Sequence, residues 1–335
     1  MVVTALEGRS GSNVMDLTKC TVLVSPASFT QGDPEVQHVL ESSVGSVIYN
    51  TTGKRLSAAQ LQEMLKGVDG YIAGVDEVTA DVIASADRLK VISRYGVGVD
   101  SIDLEAAKRH GVIVTNTPGA NSVSVAELAI GLALDLTRGI TIAIDQTRRG
   151  GWPRSSGISL RGKTFGIIGL GAIGRELALR LKGFELRIVA YDPFPNREFA
   201  AANGVELKNL DQVLAVSDVI SLHLPVTVET RGMVNARFLA AMKSGAFLIN
   251  TARGELVDEA ALKQALDNGK LQGVALDVLT DEPPLASNPL LTDPRVIVTP
   301  HMAAHTDDAM VAMGRMATED CLAVLRGEES AHRVV

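Results

Sequence analysis

The stretch GIIGLGAIGRELALRL constrains the fold more than any other part of the chain. Gly169, Gly171 and Gly174 follow an apolar run, TFGIIG, and open a helical pattern; the next apolar run, RIVAYD, ends in Asp192. Among 31 glycines the spacing alone is weak. A strand before it, a helix after it and an acid closing the next strand give the context of a dinucleotide fingerprint. Gly169 permits the tight turn, Gly171 lets the backbone approach a pyrophosphate, and Gly174 lets helix and strand pack closely. The helix start offers unpaired N–H groups and a positive dipole end to the phosphates. Asp192 would accept hydrogen bonds from ribose hydroxyls and repel a 2′-phosphate, so the expected cofactor is NAD rather than NADP.

Around this motif, short apolar runs alternate with helical patterns. The first series is CTVLVS (20–25), SVIYN (46–50), GYIAG (70–74), KVISRY (90–95) and VIVTN (112–116), with helices predicted over 57–66, 79–87 and 103–109. An alanine- and leucine-rich helix is predicted over Asn121–Arg149 and is broken by GGWPR. The second series then runs TFGIIG, RIVAYD, VISLHL, AFLIN, GVALDV and VIVTP. This rhythm belongs to βαβ units, so the expected class is α/β with two doubly wound parallel-sheet domains, in keeping with 335 residues. The helix predicted over 306–326 cannot form a domain alone and is expected to cross back onto the first. Residues 1–17, rich in Gly, Ser and Thr, read as a disordered leader.

The net charge of −7 argues against a nucleic-acid or membrane-surface partner. Two cysteines, Cys20 and Cys321, make no disulfide framework. No apolar run reaches the roughly 18–20 residues that span a bilayer, and no secretory signal is evident, so a cytoplasmic protein is expected. No metal site is expected.

An oxidoreductase using a nicotinamide cofactor needs a proton carrier. Of six histidines, His38, His110 and His332 sit in polar contexts and read as surface residues, while His223 and His301 follow strands, where open α/β sheets bind ligands. His301 follows Pro300 and is the better candidate. Asp277, Asp281 and Glu282 end the preceding strand; any of the three could hold the imidazole, and spacing does not choose among them.

The segments GLGAIG…YD, INTARGELVD, LDVLTDEP and TPHMAAHT, with SRYGVGVDSIDLEAAKRHGVIVTNTPGANSVSVAELAIGLAL upstream, resemble in order and spacing the NAD-dependent D-isomer-specific 2-hydroxyacid dehydrogenases. The pattern is most similar to the D-3-phosphoglycerate dehydrogenase branch and covers residues 20–326. The resemblance implies a Rossmann cofactor domain over 119–302 and a flavodoxin-like substrate domain over 18–118 and 303–330. It implies Arg253 as carboxylate anchor and carbonyl polariser, His301 as acid/base and Glu282 as its partner. Ala172 and Ile173 would donate to the pyrophosphate, Thr251 and Ala252 would line the dinucleotide, and Asp277 would lie near the nicotinamide carboxamide. His223, Pro225 and Ala303, with Arg253 and His301 themselves, complete the implied cofactor contacts. Gly74, Val97, Gly98 and Asn121 join Arg253 and His301 as implied substrate contacts. Members are usually dimers built on the cofactor domains, with the arm containing Trp152 contributing.

This sequence departs from the branch at Ala73–Glu77, where acids stand in place of a phosphate-reading basic residue, so an unphosphorylated acid is expected. Ala303-Ala304 replace a frequent glycine pair, implying a tighter pocket. The chain stops soon after its last helix, so no C-terminal regulatory domain is expected. The expected function is hydride transfer between NAD and a small D-2-hydroxy acid or 2-oxo acid. The alternatives are an NADH-sensing, corepressor-like binding protein and a phosphite-type anion dehydrogenase.

Overall fold

Short strands that are apolar on both faces require helices on both sides of the sheet. In a computed structural model, which describes residues 16–154 and 156–335, they have them. The described residues fall into two compact units, one running to Ala120 and rejoined by Asp307–Val335, the other Asn121–Thr306. Most of the expected leader lies outside the described residues, but Asp16 already caps a short 3-10 turn at Leu17–Lys19.

In the first unit β1 (Thr21–Val24), β2 (Ser46–Tyr49), β3 (Gly70–Ala73), β4 (Val91–Arg94) and β5 (Ile113–Thr115) form a parallel sheet in the order β2-β1-β3-β4-β5. This is the flavodoxin-like order. Helices α1 (Pro34–Ser43), α2 (Ala58–Met64), α3 (Ala80–Ser85) and α4 (Leu104–Arg109) start where Asp33, Ser57, Thr79 and Asp103 accept hydrogen bonds from first-turn amides. Leu23, Tyr71, Ile92 and Val114 pack with Leu61, Val82 and Ala106 of α2–α4 to form one core layer. The final helix of the chain, α12 (Asp307–Leu325), belongs to this unit: Ser93 Oγ donates to Ala317 O at 2.8 Å and Tyr95 OH to Met310 O at 3.1 Å. Beyond it, the last residues turn back antiparallel along β5, with Val334 N–H donating to Val114 O at 2.7 Å.

The second unit holds seven parallel strands: β6 (Thr164–Ile168), β7 (Arg187–Tyr191), β8 (Glu206–Leu207), β9 (Val219–Leu222), β10 (Ala246–Asn250), β11 (Leu271–Leu276) and β12 (Val296–Val298). Their order, β12-β11-β10-β9-β6-β7-β8, is a Rossmann sheet with one added strand. Ile167 and Ile249 face a core shared with Ala129 and Leu177, from α5 (Ser122–Arg138) and α7 (Ala172–Leu181). Ile168 and Leu248 face the opposite layer, formed with α9 (Leu210–Val216), α10 (Ala236–Ala241) and α11 (Glu259–Asp267). The helix predicted as one piece over 121–149 is two. Gly139, at φ 63°, ends α5 in the left-handed region and starts α6 (Ile140–Arg148), because a glycine takes that conformation without a Cβ clash. The two-residue strand β8, beyond α8 (Arg197–Asn203), is too short to carry a hydrophobic period and was not expected. No described helix is long and apolar enough to cross a membrane.

Candidate active site

The end of β6 turns at Gly169 and enters α7 at Ala172. A methyl group at Gly174 would lie 2.1 Å from the Gly169 carbonyl oxygen, so strand and helix approach this closely only without a side chain. No side chain caps α7, whereas α8–α11 are capped by Asn196, Asn209, Asn235 and Asp258. The first amides of α7, at Ala172 and Ile173, are therefore left for a group outside the chain, at the positive end of the helix dipole. Nothing lies within 4 Å of a Cβ built on Gly171, so the approach to them is open. Asp192 accepts from Leu170 N and from Phe194 N, each at 2.7 Å, which fixes its carboxylate beside the turn with lone pairs to spare. Orphan donors for a diphosphate and a fixed acceptor for ribose hydroxyls fit a dinucleotide.

His223 leaves β9 with its N–H on Ile168 O at 2.7 Å and its backbone pressed against Gly169. Nε2 lies 2.8 Å from Ser221 Oγ, while Nδ1 is closed to solvent and has no partner among the described residues. Burial pushes its pKa down to about 4 from 6.5, so the ring is neutral at pH 7. Because the folded value is depressed, the unfolded chain binds the proton first, and stability is lost as pH falls from about 6.5 towards 4, with a slope of at most about 1.4 kcal/mol per pH unit. Urea unfolding at several pH values should show this slope, and His223→Gln should flatten it; a variant that tracks the parent through the window means the native ring titrates as it does in the unfolded chain. Thr251 Oγ1 and Asn121 Oδ1 are also buried without partners among the described residues, and Pro225 is exposed, its carbonyl taken by Thr230.

The strand β10 delivers Arg253 through a tight local turn. Asn250, fully buried, accepts from Ala252 N at 3.0 Å and donates to Arg253 O at 2.7 Å. Arg253 Nη1 donates to Ala252 O at 2.6 Å, which folds the half-buried side chain over the turn. Gly254 is required next: a Cβ there would sit 2.1 Å from the Leu279 carbonyl carbon. Gly254→Ala is expected to destabilise by about 1–3 kcal/mol or more, read as a lower thermal midpoint; an unchanged midpoint means that the two segments part easily.

Of the three candidate acids, the geometry selects Glu282. Its Oε2 lies 2.7 Å from His301 Nδ1 and its Oε1 accepts from Leu279 N at 3.1 Å, while Asp281 is exposed. Burial opposes the charge of Glu282, but the hydrogen bond from His301, the Leu279 amide and the nearby Arg253 charge outweigh it and hold the carboxyl below its usual range. A carboxylate can only accept, so Nδ1 carries the proton and Nε2, which has no partner among the described residues, is left as the ring's working nitrogen. Arg253, Glu282 and His301 thus form one group. Asp277, expected near the nicotinamide, is buried, and its carboxylate accepts from Thr299, Met302 and Ala303 of the turn that carries His301.

In the first unit, the loop after β4 turns four successive carbonyls inward. Arg94 Nη1 holds Tyr95 O, Thr117 N holds Gly96 O at 3.0 Å, Asn116 Nδ2 holds Val97 O at 2.7 Å, and Arg94 Nε holds Gly98 O at 2.9 Å. The Val97 and Gly98 amides donate to nothing among the described residues. Gly74 offers no such group, because its N–H is taken by Ser25 Oγ at 2.8 Å. Two expectations need correction here. Asp76 is no repelling surface charge: it is buried and accepts from Ser25, from Tyr71 OH at 2.9 Å and from Leu56 N at 2.6 Å, so Glu77 is the exposed acid of that loop. His332 is no plain surface residue either: it is half-buried, with Nδ1 3.0 Å from the buried Asp320, whereas His38 and His110 are exposed.

Two residues that shape these turns were given no side-chain role from the sequence. Asn250 ends an apolar strand, a position where a short amide can bond its own backbone. Arg94 ends β4 as Arg253 follows β10, and a cation closing a buried strand was the available signal.

Fold and site together define a dinucleotide-binding α/β protein with a charged, histidine-bearing turn in the same unit as the cofactor cradle. The chain belongs to the D-isomer specific 2-hydroxyacid dehydrogenases: residues 130–303 match the NAD binding domain of that family. It is 46% identical over 277 residues to the D-3-phosphoglycerate dehydrogenase of Methanocaldococcus jannaschii, covering 82% of this chain and 53% of that protein. The chain therefore spans about half the length of the curated relatives it matches. Among solved structures, a protein from Thermus thermophilus superposes with a TM-score of 0.85 at 36% identity, covering 94% of this chain and 100% of that one. D-lactate dehydrogenase from Aquifex aeolicus, complexed with NAD and lactic acid, superposes with a TM-score of 0.82 at 30% identity, covering 94% and 99%. NAD is the cofactor of the second unit.

Proposed function

We propose that this protein is an NAD-dependent dehydrogenase of a small D-2-hydroxy acid and its 2-oxo acid. The observation that carries the reading is the Arg253–Glu282–His301 group, with a cation for a carboxylate and a ring nitrogen kept free for a proton. The bound nicotinamide supplies the hydride-accepting or hydride-donating carbon. In the oxidising direction His301 Nε2 accepts the hydroxyl proton, and the Glu282 carboxylate on Nδ1 stabilises the imidazolium that results. In the reducing direction His301 returns that proton to the carbonyl oxygen, while the planar fork of Arg253 holds the acid and offsets charge growing on that oxygen.

An unphosphorylated substrate is the better reading, because no arginine or lysine stands in Ala73–Glu77 and Glu77 is exposed. A phosphorylated acid is the second reading, favoured by the likeness to D-3-phosphoglycerate dehydrogenases. Loss of NADH absorbance with glyoxylate, pyruvate, hydroxypyruvate and phosphohydroxypyruvate tests both. Turnover of an unphosphorylated acid is expected to be fastest. NADH binding without turnover of any of them would leave the NADH-sensing reading in its place, and turnover of phosphite the anion-dehydrogenase reading. Self-association through the second unit is also proposed: α6 has no buried residue, and Ile140, Ile142 and Trp152 are 44%, 44% and 78% exposed.

A further inference from the structure

Two buried polar residues stand at adjacent strand ends in the second unit. Asn250 closes β10 and Asp277 follows β11; the strands pair in parallel, and Asp277 N–H donates to Asn250 O at 2.9 Å. Asn250 is 0% and Asp277 1% exposed. The sheet itself needs neither polar side chain, and burying an amide and a carboxylate is unfavourable unless their hydrogen bonds are made.

Those bonds go to two turns. Asn250 Oδ1 accepts from Ala252 N and its Nδ2 donates to Arg253 O, which shapes the turn bearing the guanidinium. Asp277 Oδ1 accepts from Thr299 Oγ1 at 2.6 Å and Met302 N at 2.9 Å, Oδ2 from Ala303 N at 2.9 Å, and the Asp277 carbonyl from His301 N at 2.8 Å. His301 needs such a hold. At φ 51° it lies in the left-handed region, which is unfavourable for a residue with a side chain and persists only where its surroundings over-determine it.

We propose that Asn250 and Asp277 are paired positioning residues: one sets the Arg253 turn, the other the His301 turn, and the backbone bond between them fixes the two turns to a common frame. The proposal rests on reading Arg253 as the carboxylate anchor and His301 as the proton carrier. It gives Asp277 work that is complete before any ligand arrives. A frame joining the two turns sets the spacing of guanidinium and imidazole, on which reaction geometry depends steeply.

The test uses three substitutions in the full chain. Asp277→Asn keeps the shape but turns one acceptor into an amide nitrogen facing an N–H or O–H donor. It is expected to lower kcat about 100-fold, to move the pH profile of kcat/KM, and to shift the His301 ring resonances in ligand-free protein. Asn250→Asp sets a carboxylate oxygen against the Arg253 carbonyl; it is expected to raise KM for the acid about tenfold with kcat at saturation largely kept. Thr299→Val removes one Asp277 donor and is expected to shift the His301 resonances and lower kcat severalfold, with Thr299→Ser restoring both. If the first two variants do not fold, the Thr299 pair decides. Variants that lose thermal stability but keep parental kinetic constants, pH profile and His301 resonances overturn the proposal, as does a Thr299→Val variant with an unmoved ring. A parent chain that turns over no acid refutes the dehydrogenase reading instead, and the His301 resonances still report on the frame.

Discussion

Replacing His301 by alanine is expected to lower turnover of the 2-oxo acid about 10²- to 10⁴-fold while leaving NADH affinity near the parent value. The split follows from the placement of the groups. The α7 amides and Asp192, proposed to hold the dinucleotide, share no hydrogen bond with the His301 turn among the described residues, whereas Nε2 is the ring atom proposed to carry the proton. Glu282 fixes the ring through Nδ1 and is itself fixed by the Leu279 amide, so losing the imidazole removes a proton carrier already in position. Steady-state kinetics with a separate fluorescence titration of NADH checks this. Near-parental turnover in the variant would rule out the proposed proton path.

Arg253→Ala is the other large loss expected, and it has a different signature. Truncating one partner of a hydrogen-bonded charge pair costs about 2–5 kcal/mol, which is roughly a 30-fold to several-thousand-fold fall in kcat/KM. Both KM and kcat should suffer if, as proposed, the guanidinium holds the acid and also meets charge developing on the carbonyl oxygen. Arg253→Lys should recover only part of this, since an ammonium lacks the planar fork. The removed charge also acts on Glu282, so the carboxyl that steadies His301 would lose one of the influences keeping it ionised. Equal kcat/KM for parent and alanine variant across several 2-oxo acids would show that the acid is anchored elsewhere.

The strand series and the glycine motif were legible in the sequence because both rest on local patterns: apolar runs of strand length, and glycines at a strand-to-helix turn. The flavodoxin-like and Rossmann orders came from the family resemblance, since pairing order is set by packing between distant segments. Where pattern failed, a single residue had overridden it. Gly139 splits a helix whose apolar periodicity continues on both sides, and β8 has too few residues to show a period. At the site, spacing left Asp277, Asp281 and Glu282 equivalent. The outcome depends on how the turn after β11 folds back, sending Asp277 under the His301 turn and Glu282 against the ring. Asp76 shows the converse failure: an acid read as part of a phosphate-repelling loop proves to be a buried acceptor whose donors, Ser25, Leu56 and Tyr71, lie on other elements or in other loops. Sign and position in sequence do not tell which way a carboxylate points.

The antiparallel return of the last residues along β5 matters for how the protein behaves at high concentration. An exposed strand at the margin of a sheet is a template on which another molecule can add its own backbone. Here Val114 and Asn116 already exchange hydrogen bonds with His332, Val334 and Val335, and the His332–Asp320 contact pins the returning segment to α12. That side of the first sheet is sealed by the chain's own residues. The opposite margin, β2, alternates exposed and half-buried side chains, so strand addition on this sheet would have to begin there.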